Sequence, residues 1–242
     1  MKFLLQYNEN KVLSSHYREI NKNDFDYMLK RFCKDFDWND MPIYKVFDNL
    51  EQPYYITNPQ AIDRVSRNTA NYYTIIFDNS PYRKDFSKRS KSLICSTKSS
   101  TAGNYGDVYR VIPFDGAKIA VCPQNDFWDS FSSYNNDDGI YDLDCFNRHL
   151  FNIMISAGID IDTNILMEQL KDLYINHADI IRMYNGNNDV NFPLTLEDLY
   201  QSFNPEKNDI NLYDYKDYAK KSFSERECWL DSKALLVSME QK

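Results

Sequence analysis

Apolar positions change their period several times along the chain, and each change predicts an element. Phe25, Met28, Leu29, Phe32 and Phe36 recur at three- and four-residue steps, which places them on one face of a helix over 24–36. Asn58-Pro59 reads as an N-cap with a first-turn proline, opening a short helix that runs to about Arg67. The helical step then disappears. Tyr72-Tyr73-Thr74-Ile75-Ile76-Phe77 is aromatic and β-branched and stops at Asp78-Asn79-Ser80-Pro81, the pattern of a strand and turn. Residues 92–97, 108–112 and 117–122 predict three more strands, with Phe114-Asp115-Gly116 as a hairpin-like turn before the last. Helical spacing returns over 142–157, where Leu143, Phe146, Leu150, Ile153, Met154 and Ala157 form a stripe and Gly158 stands where a C′ glycine would. A longer helix is predicted over 163–184, with Leu166, Leu170, Leu173, Tyr174, His177 and Ile181 inward and Asn185-Gly186 ending it. Thr195-Leu196-Glu197-Asp198 resembles a capping box, Tyr213–Lys221 reads as helix, and 234–239 reads as a closing strand.

Helices, then strands, then helices, then one last strand lack the regular alternation of a doubly wound sheet, so the expected class is α+β. A single domain over 1–242 is expected. Its parts are a helical N-terminal part at 1–68, a sheet core from 69–125 and 222–242, and a helical insertion at 140–220.

Charge narrows the function classes. Lys+Arg number 28 against 36 Asp+Glu, a net −8, so no general nucleic-acid coat is expected. Six glycines give poor support to a glycine-rich phosphate loop. No apolar run approaches the roughly 18 residues of a membrane span, and Gln6–Asn10 cut short the signal-like start Met1–Leu5. The five cysteines are scattered and form no CxxC, which fits neither a zinc ribbon nor a disulfide framework and points to a reducing cytoplasm. His16, His149 and His177 are isolated, so no metal site is expected. Asn135–Gly139 is too short a run of acids for calcium and reads as a turn.

Two segments carry candidate chemistry. The first runs Lys88-Arg89-Ser90-Lys91-Ser92-Leu93-Ile94-Cys95-Ser96-Thr97, then Ala102…Tyr105-Gly106, then Val108-Tyr109-Arg110-Val111-Ile112-Pro113. It is an apolar strand ending in two small hydroxyls, which can hydrogen-bond a ligand without filling a cleft. The second is Ser224-Glu225-Arg226-Glu227-Cys228-Trp229, where extended backbone would point Glu225 and Glu227 to one side. Paired carboxylates can divide their roles, one stabilising a cation and one taking a proton. Residues 83–91 form the one strongly basic stretch and read as a solvated loop or a contact for a pyrophosphate or an acidic surface. Asp126–Phe131 reads as a short aromatic helix packed in the core, and Cys95 and His177 read as buried core residues.

Together these segments resemble the ADP-ribosyltransferase family, in its arginine–serine–glutamate branch. Cys95-Ser96-Thr97 or Ser96-Thr97-Lys98 stands for the second-strand motif, and Glu225-x-Glu227 stands for the third. Arg67, or else Arg89, stands for the early arginine. The resemblance covers about residues 64–122 and 222–239 and implies a split mixed or antiparallel sheet core of ADP-ribosyltransferase type; the N-terminal helices and the central helical insertion are read from the periodicity and spacing of the chain. It implies NAD as substrate and a protein acceptor, with arginine favoured by the upstream glutamate. Glu227 would stabilise the ribosyl cation, Glu225 would position or deprotonate the acceptor, and Ser96 would hold Glu227. Arg67, Arg89, Ser96, Thr97 and Tyr105 would line the NAD site. The alternatives are a NAD glycohydrolase using the same residues, and a non-enzymatic phage or host-modulating interaction protein. The expected location is cytoplasmic, in a host cell if phage-encoded.

Overall fold

The computed structural model describes residues 17–47, 50–61, 63–64, 71–99, 106–131, 142–161 and 165–239. His16, Arg67, Ala102, Tyr105 and the turn at 135–139 lie outside these residues. The fold is mixed α+β, with seven helices and one nine-stranded antiparallel sheet among the described residues. In chain order the elements are β1 (Tyr17–Glu19), α1 (Lys22–Phe32), β2 (Tyr44–Phe47), β3 (Tyr54–Thr57), α2 (Tyr72–Asn79), β4 (Leu93–Ser96), β5 (Asp107–Pro113) and β6 (Lys118–Val121). There follow α3 (Leu143–Ser156), α4 (Met167–Asn176), α5 (Ala178–Asn188), α6 (Leu196–Ser202), β7 (Asn211–Asp214), α7 (Tyr215–Tyr218), β8 (Glu227–Leu230) and β9 (Ala234–Ser238). The chain divides into two compact units, one of 1–64, 87–125 and 211–242 and the other of 65–86 and 126–210.

The first unit holds the whole sheet, in the order β1-β3-β9-β5-β2-β4-β8-β6-β7. One face is apolar along most strands: Tyr55, Leu236, Val111, Phe47, Leu93, Cys95, Cys228, Leu230, Ile119 and Val121 join a single buried cluster. The sheet curls strongly around this cluster. β1 and β2 are four strand steps apart, about 19 Å in a flat sheet at the usual spacing. Yet the rings of Tyr17 and Phe47 lie 4.6 Å apart, edge to face. α7 adds Tyr215 and Tyr218 to the same cluster.

On the other face α1 covers β3, β5 and β9. Asn21 caps it, accepting from the Asp24 N–H at 2.9 Å. Phe25 packs on Tyr54, and Ile112 and Leu235 complete a second cluster. The predicted helix over 24–36 ends early, at Phe32, because the Phe114-Asp115-Gly116 turn meets it. The Asp115 N–H donates to the Phe32 carbonyl at 2.6 Å, and the Phe32 and Phe114 rings stack at 5.1 Å. That turn therefore caps a helix rather than closing a hairpin, and β5 and β6 are not sheet neighbours. Gly116 provides its positive φ of 82°.

Three expectations for this unit need correction. The part at 1–68 is not helical throughout: β1, β2 and β3 lie in it, and the helix expected after Pro59 is a single turn, Pro59–Ala61. These strands are three or four residues long, too short for a periodic signal. The helix expected over 213–221 is one turn, because Tyr213 belongs to β7. Glu227 does not merely precede the closing strand but begins a separate one, β8.

The second unit is helical, and three further expectations differ there. Tyr72–Phe77 is helix α2, not a strand. Tyr72, Tyr73, Thr74, Ile76, Phe77 and Asp78 are all buried in it, and an element covered on every side shows no period by which helix and strand differ. Residues 69–86 are therefore not part of the sheet core. The helix expected over 163–184 is two helices, α4 and α5, broken at His177 (φ −127°). His177 is half-exposed, 3.5 Å from the Asp172 carboxylate, and is not the buried core residue expected. α3 matches its pattern, with Asp142 accepting from the Cys145 N–H at 2.7 Å and Gly158 at φ 71° after its end. The Thr195 capping box is formed. Stacked rings of Tyr72, Phe146 and Phe192 run through the core of this unit, with Phe127 and Phe131 also buried.

Candidate functional site

The site lies in the first unit, where β4 pairs with β8. The register sets Leu93 opposite Leu230, Ile94 opposite Trp229, Cys95 opposite Cys228 and Ser96 opposite Glu227. Directly opposed residues in an antiparallel pair share a face. One face of the pair, Leu93, Cys95, Cys228 and Leu230, is therefore part of the apolar core. The other carries Ile94, Ser96, Trp229 and Glu227. β2 extends that second row, because Tyr44 is opposite both Ser96 and Arg110. Glu227, Ser96, Tyr44 and Arg110 thus stand in line across four adjacent strands.

Glu227 is held firmly. Its N–H donates to the Gln124 carbonyl at 2.9 Å, and its carbonyl accepts from the Cys122 N–H at 2.8 Å. Its carboxylate accepts from Arg89 Nη1 at 2.5 Å. Arg89 lies in a single turn, Arg89–Lys91, that leads into β4. Ser92 pins this turn by donating from Oγ to the Lys88 carbonyl at 2.7 Å, and the Arg64 N–H donates to the Ser90 carbonyl. The Arg89 side chain is 2% exposed and that of Glu227 12%. The guanidinium also lies over the Trp229 indole, 5.2 Å from the ring centre, and the indole N–H donates to the Ser87 carbonyl. Removal from water makes both charges costly to leave alone, so each fixes the other.

The two hydroxyls after the apolar strand have different partners. Thr97 is buried and binds the segment before β8: Oγ1 donates to the Ser224 carbonyl at 2.7 Å and accepts from the Arg226 N–H at 2.9 Å. Its N–H also donates to the Arg226 carbonyl. Ser96 is half-buried, and its Oγ accepts from the Lys98 N–H at 3.1 Å, a bond that leaves the hydroxyl proton to be donated. Glu225 is half-buried in a bend, outside the strand that begins at Glu227, so strand alternation does not align the two carboxylates.

The structure thus brings together Arg89, Ser96, Thr97 and Glu227, and sets Glu225 two residues before β8. Arg67 and Tyr105 lie outside the described residues. Sequence reasoning missed Tyr44, on a strand it did not detect, and gave Trp229 no role although the two-residue step from Glu227 implies a shared face. The thiols on the reverse face are unsuited to nucleophilic chemistry. Burial pushes Cys95 up to about 12 and Cys228 well above the ordinary thiol value. Among the described residues no group of three His, Cys, Asp or Glu side chains is placed to hold a metal ion. No described helix is long and apolar enough to cross a membrane.

Chemically, the arrangement offers a carboxylate rigidly placed on a sheet face, a donor hydroxyl on the adjacent strand and flanking aromatic rings. That set can stabilise developing positive charge beside it. Compared with known proteins, the chain matches no family model, no curated protein and no solved structure.

Proposed function

We propose that the chain is a NAD-dependent mono-ADP-ribosyltransferase that modifies a protein acceptor, with arginine as the favoured acceptor. One observation carries the reading. Arg89 and Glu227, 138 residues apart in sequence, meet in one ion pair, and the β4–β8 register sets Ser96 directly opposite Glu227. A basic and a hydroxyl member from the segment 89–96 meet an acidic member from β8, the combination of side chains that the family resemblance calls for, although Arg89 lies in the turn before β4 and not on an early strand of its own.

The substrate supplies a glycosidic bond to a cationic leaving group, and breaking it builds positive charge on the ribose, as in glycoside cleavage. Glu227 faces that charge with a carboxylate that Arg89 keeps from rotating. Ser96 has a proton to donate and stands on the neighbouring strand. Thr97 fixes the segment that carries Glu225, whose carboxylate takes the proton of an incoming guanidinium or of water.

A second reading, NAD glycohydrolase, is favoured by Glu225 lying in the bend rather than beside Glu227 on the strand. One experiment separates the two and tests both. The chain is incubated with NAD labelled on the adenylate side and a protein extract, and both released nicotinamide and protein-bound label are counted. The transferase reading predicts label on protein that Glu227→Gln abolishes. It also predicts that Glu225→Gln lowers transfer while nicotinamide release persists. Release without label supports the hydrolase. Equal activity of Glu227→Gln and the unsubstituted chain refutes both.

A further inference from the structure

The helical unit holds a second chemical constellation, independent of the sheet. Cys145 and His149 are four residues apart on α3 and so share a face of that helix. Cys145 Sγ lies 3.3 Å from His149 Nε2. The other ring nitrogen, Nδ1, lies 2.9 Å from the hydroxyl of Tyr184 on α5, and the rings meet nearly edge to face. Asn152 Nδ2, one turn along α3, donates to the same hydroxyl at 3.4 Å.

We propose that Cys145 is a thiol activated by His149 for oxidation by a small hydroperoxide, with Tyr184 as the positioning residue that holds the imidazole. A nucleophile, a base within hydrogen-bond reach and a third group orienting the base are the parts such chemistry needs. The proton placement is consistent throughout. Asn152 uses the Tyr184 oxygen as an acceptor, so Nδ1–H can donate to that oxygen too. Nε2 then keeps its lone pair for the thiol proton. Burial, with Arg148 adding to it, lowers the His149 pKa, so the ring is neutral at pH 7 and able to accept. The charged groups nearest in sequence on α3 are Asp144, next to Cys145, and Arg148, next to His149, with the capping Asp142 beyond them.

The step balances without further reactants. As sulfur attacks one peroxide oxygen, the thiol proton passes to Nε2. The S–O bond forms and the O–O bond breaks. The leaving oxygen takes the proton and departs as water from hydrogen peroxide, or as the alcohol from an organic hydroperoxide. Sulfur is oxidised to the sulfenic acid and the peroxide is reduced. Cys145 is 6% exposed and Cys95 5%, so a difference in their rates reports the neighbouring His149 rather than access. The other thiols provide internal controls, because burial pushes Cys33 and Cys95 up to about 12.

The test exposes the folded chain to hydrogen peroxide at pH 7, stops it at intervals, denatures and alkylates it, and measures the unoxidised fraction of each cysteine by peptide mass spectrometry. Cys145 is expected to oxidise at least about 100-fold faster than Cys95 and Cys228, the lower end of what general-base assistance gives. His149→Asn is expected to remove that advantage. Tyr184→Phe, which keeps the ring and loses only the oxygen, is expected to reduce it in part while Cys95 stays protected. Should His149→Asn unfold the chain, all five thiols oxidise together, and Tyr184→Phe decides instead. Equal rates for Cys145 and Cys95 in the unsubstituted chain overturn the proposal. So does an unchanged Cys145 rate in a folded His149→Asn or Tyr184→Phe chain.

Discussion

The two faces of the β4–β8 pair share four residue pairs yet differ in kind. On one face Leu93, Cys95, Cys228 and Leu230 pack into an apolar cluster, and burial keeps the thiols protonated. On the other, at the same depth in the sheet, Ser96 and Glu227 face each other, Arg89 holds the carboxylate and Trp229 covers the guanidinium. The first face needs only volume and lack of charge. The second maintains a nearly buried ion pair, which is seldom the most stable filling for such a space. The difference teaches where this molecule keeps a group at a cost to stability, and therefore where its chemistry is to be sought.

Substitutions can break this contrast, beginning with the strongest. Glu227→Gln should lower nicotinamide release by about 1,000-fold, the scale of one preorganised charge lost from a transition state. Steady-state release under saturating NAD measures it. Arg89→Met should destabilise the fold by about 3–5 kcal/mol, because it strands the Glu227 carboxylate among buried groups. Denaturant unfolding reads this loss, and the Arg89→Met, Glu227→Gln double substitution should recover part of it. Thr97→Val removes two hydrogen bonds to the 224–226 segment and should cost about 1–3 kcal/mol, with Thr97→Ser close to the parent. The apolar face should reveal itself only in alkali. The folded pKa of Cys95 is about 12, raised from an ordinary value of 9.0. The unfolded chain therefore releases the proton first as pH rises. Stability is intact below pH 9 and falls between about 9 and 12, by up to about 1.4 kcal/mol per pH unit for each such thiol. Cys95→Ala should make that slope shallower in urea midpoints taken from pH 8 to 11.

The same contrast explains what the sequence made legible. β4, β5, β6 and β9 announce themselves, since each has a run of apolar residues bounded by turns. β8 does not: Cys228, Trp229 and Leu230 are all buried, so its two faces leave no alternation. β1, β2 and β3 are as short as three or four residues, and Tyr44 was invisible with them. Tyr72–Phe77 misleads because a helix buried on all sides carries the aromatic, β-branched composition of a strand. Glu227, Ser96 and Thr97 could be picked out because small hydroxyls after an apolar strand and a Glu-x-Glu repeat are unusual in combination. The pairing of Arg89 with the Glu227 carboxylate could not, because it depends on how segments 138 residues apart come together.

Nicotinamide release from NAD by the unsubstituted chain, beside Glu227→Gln of matched fold, tests the central claim most directly. The account predicts steady release by the former and release near the uncatalysed background by the latter. Background release by the unsubstituted chain, or equal release by both, would contradict it and leave the Arg89–Glu227 pair a purely structural feature of the sheet.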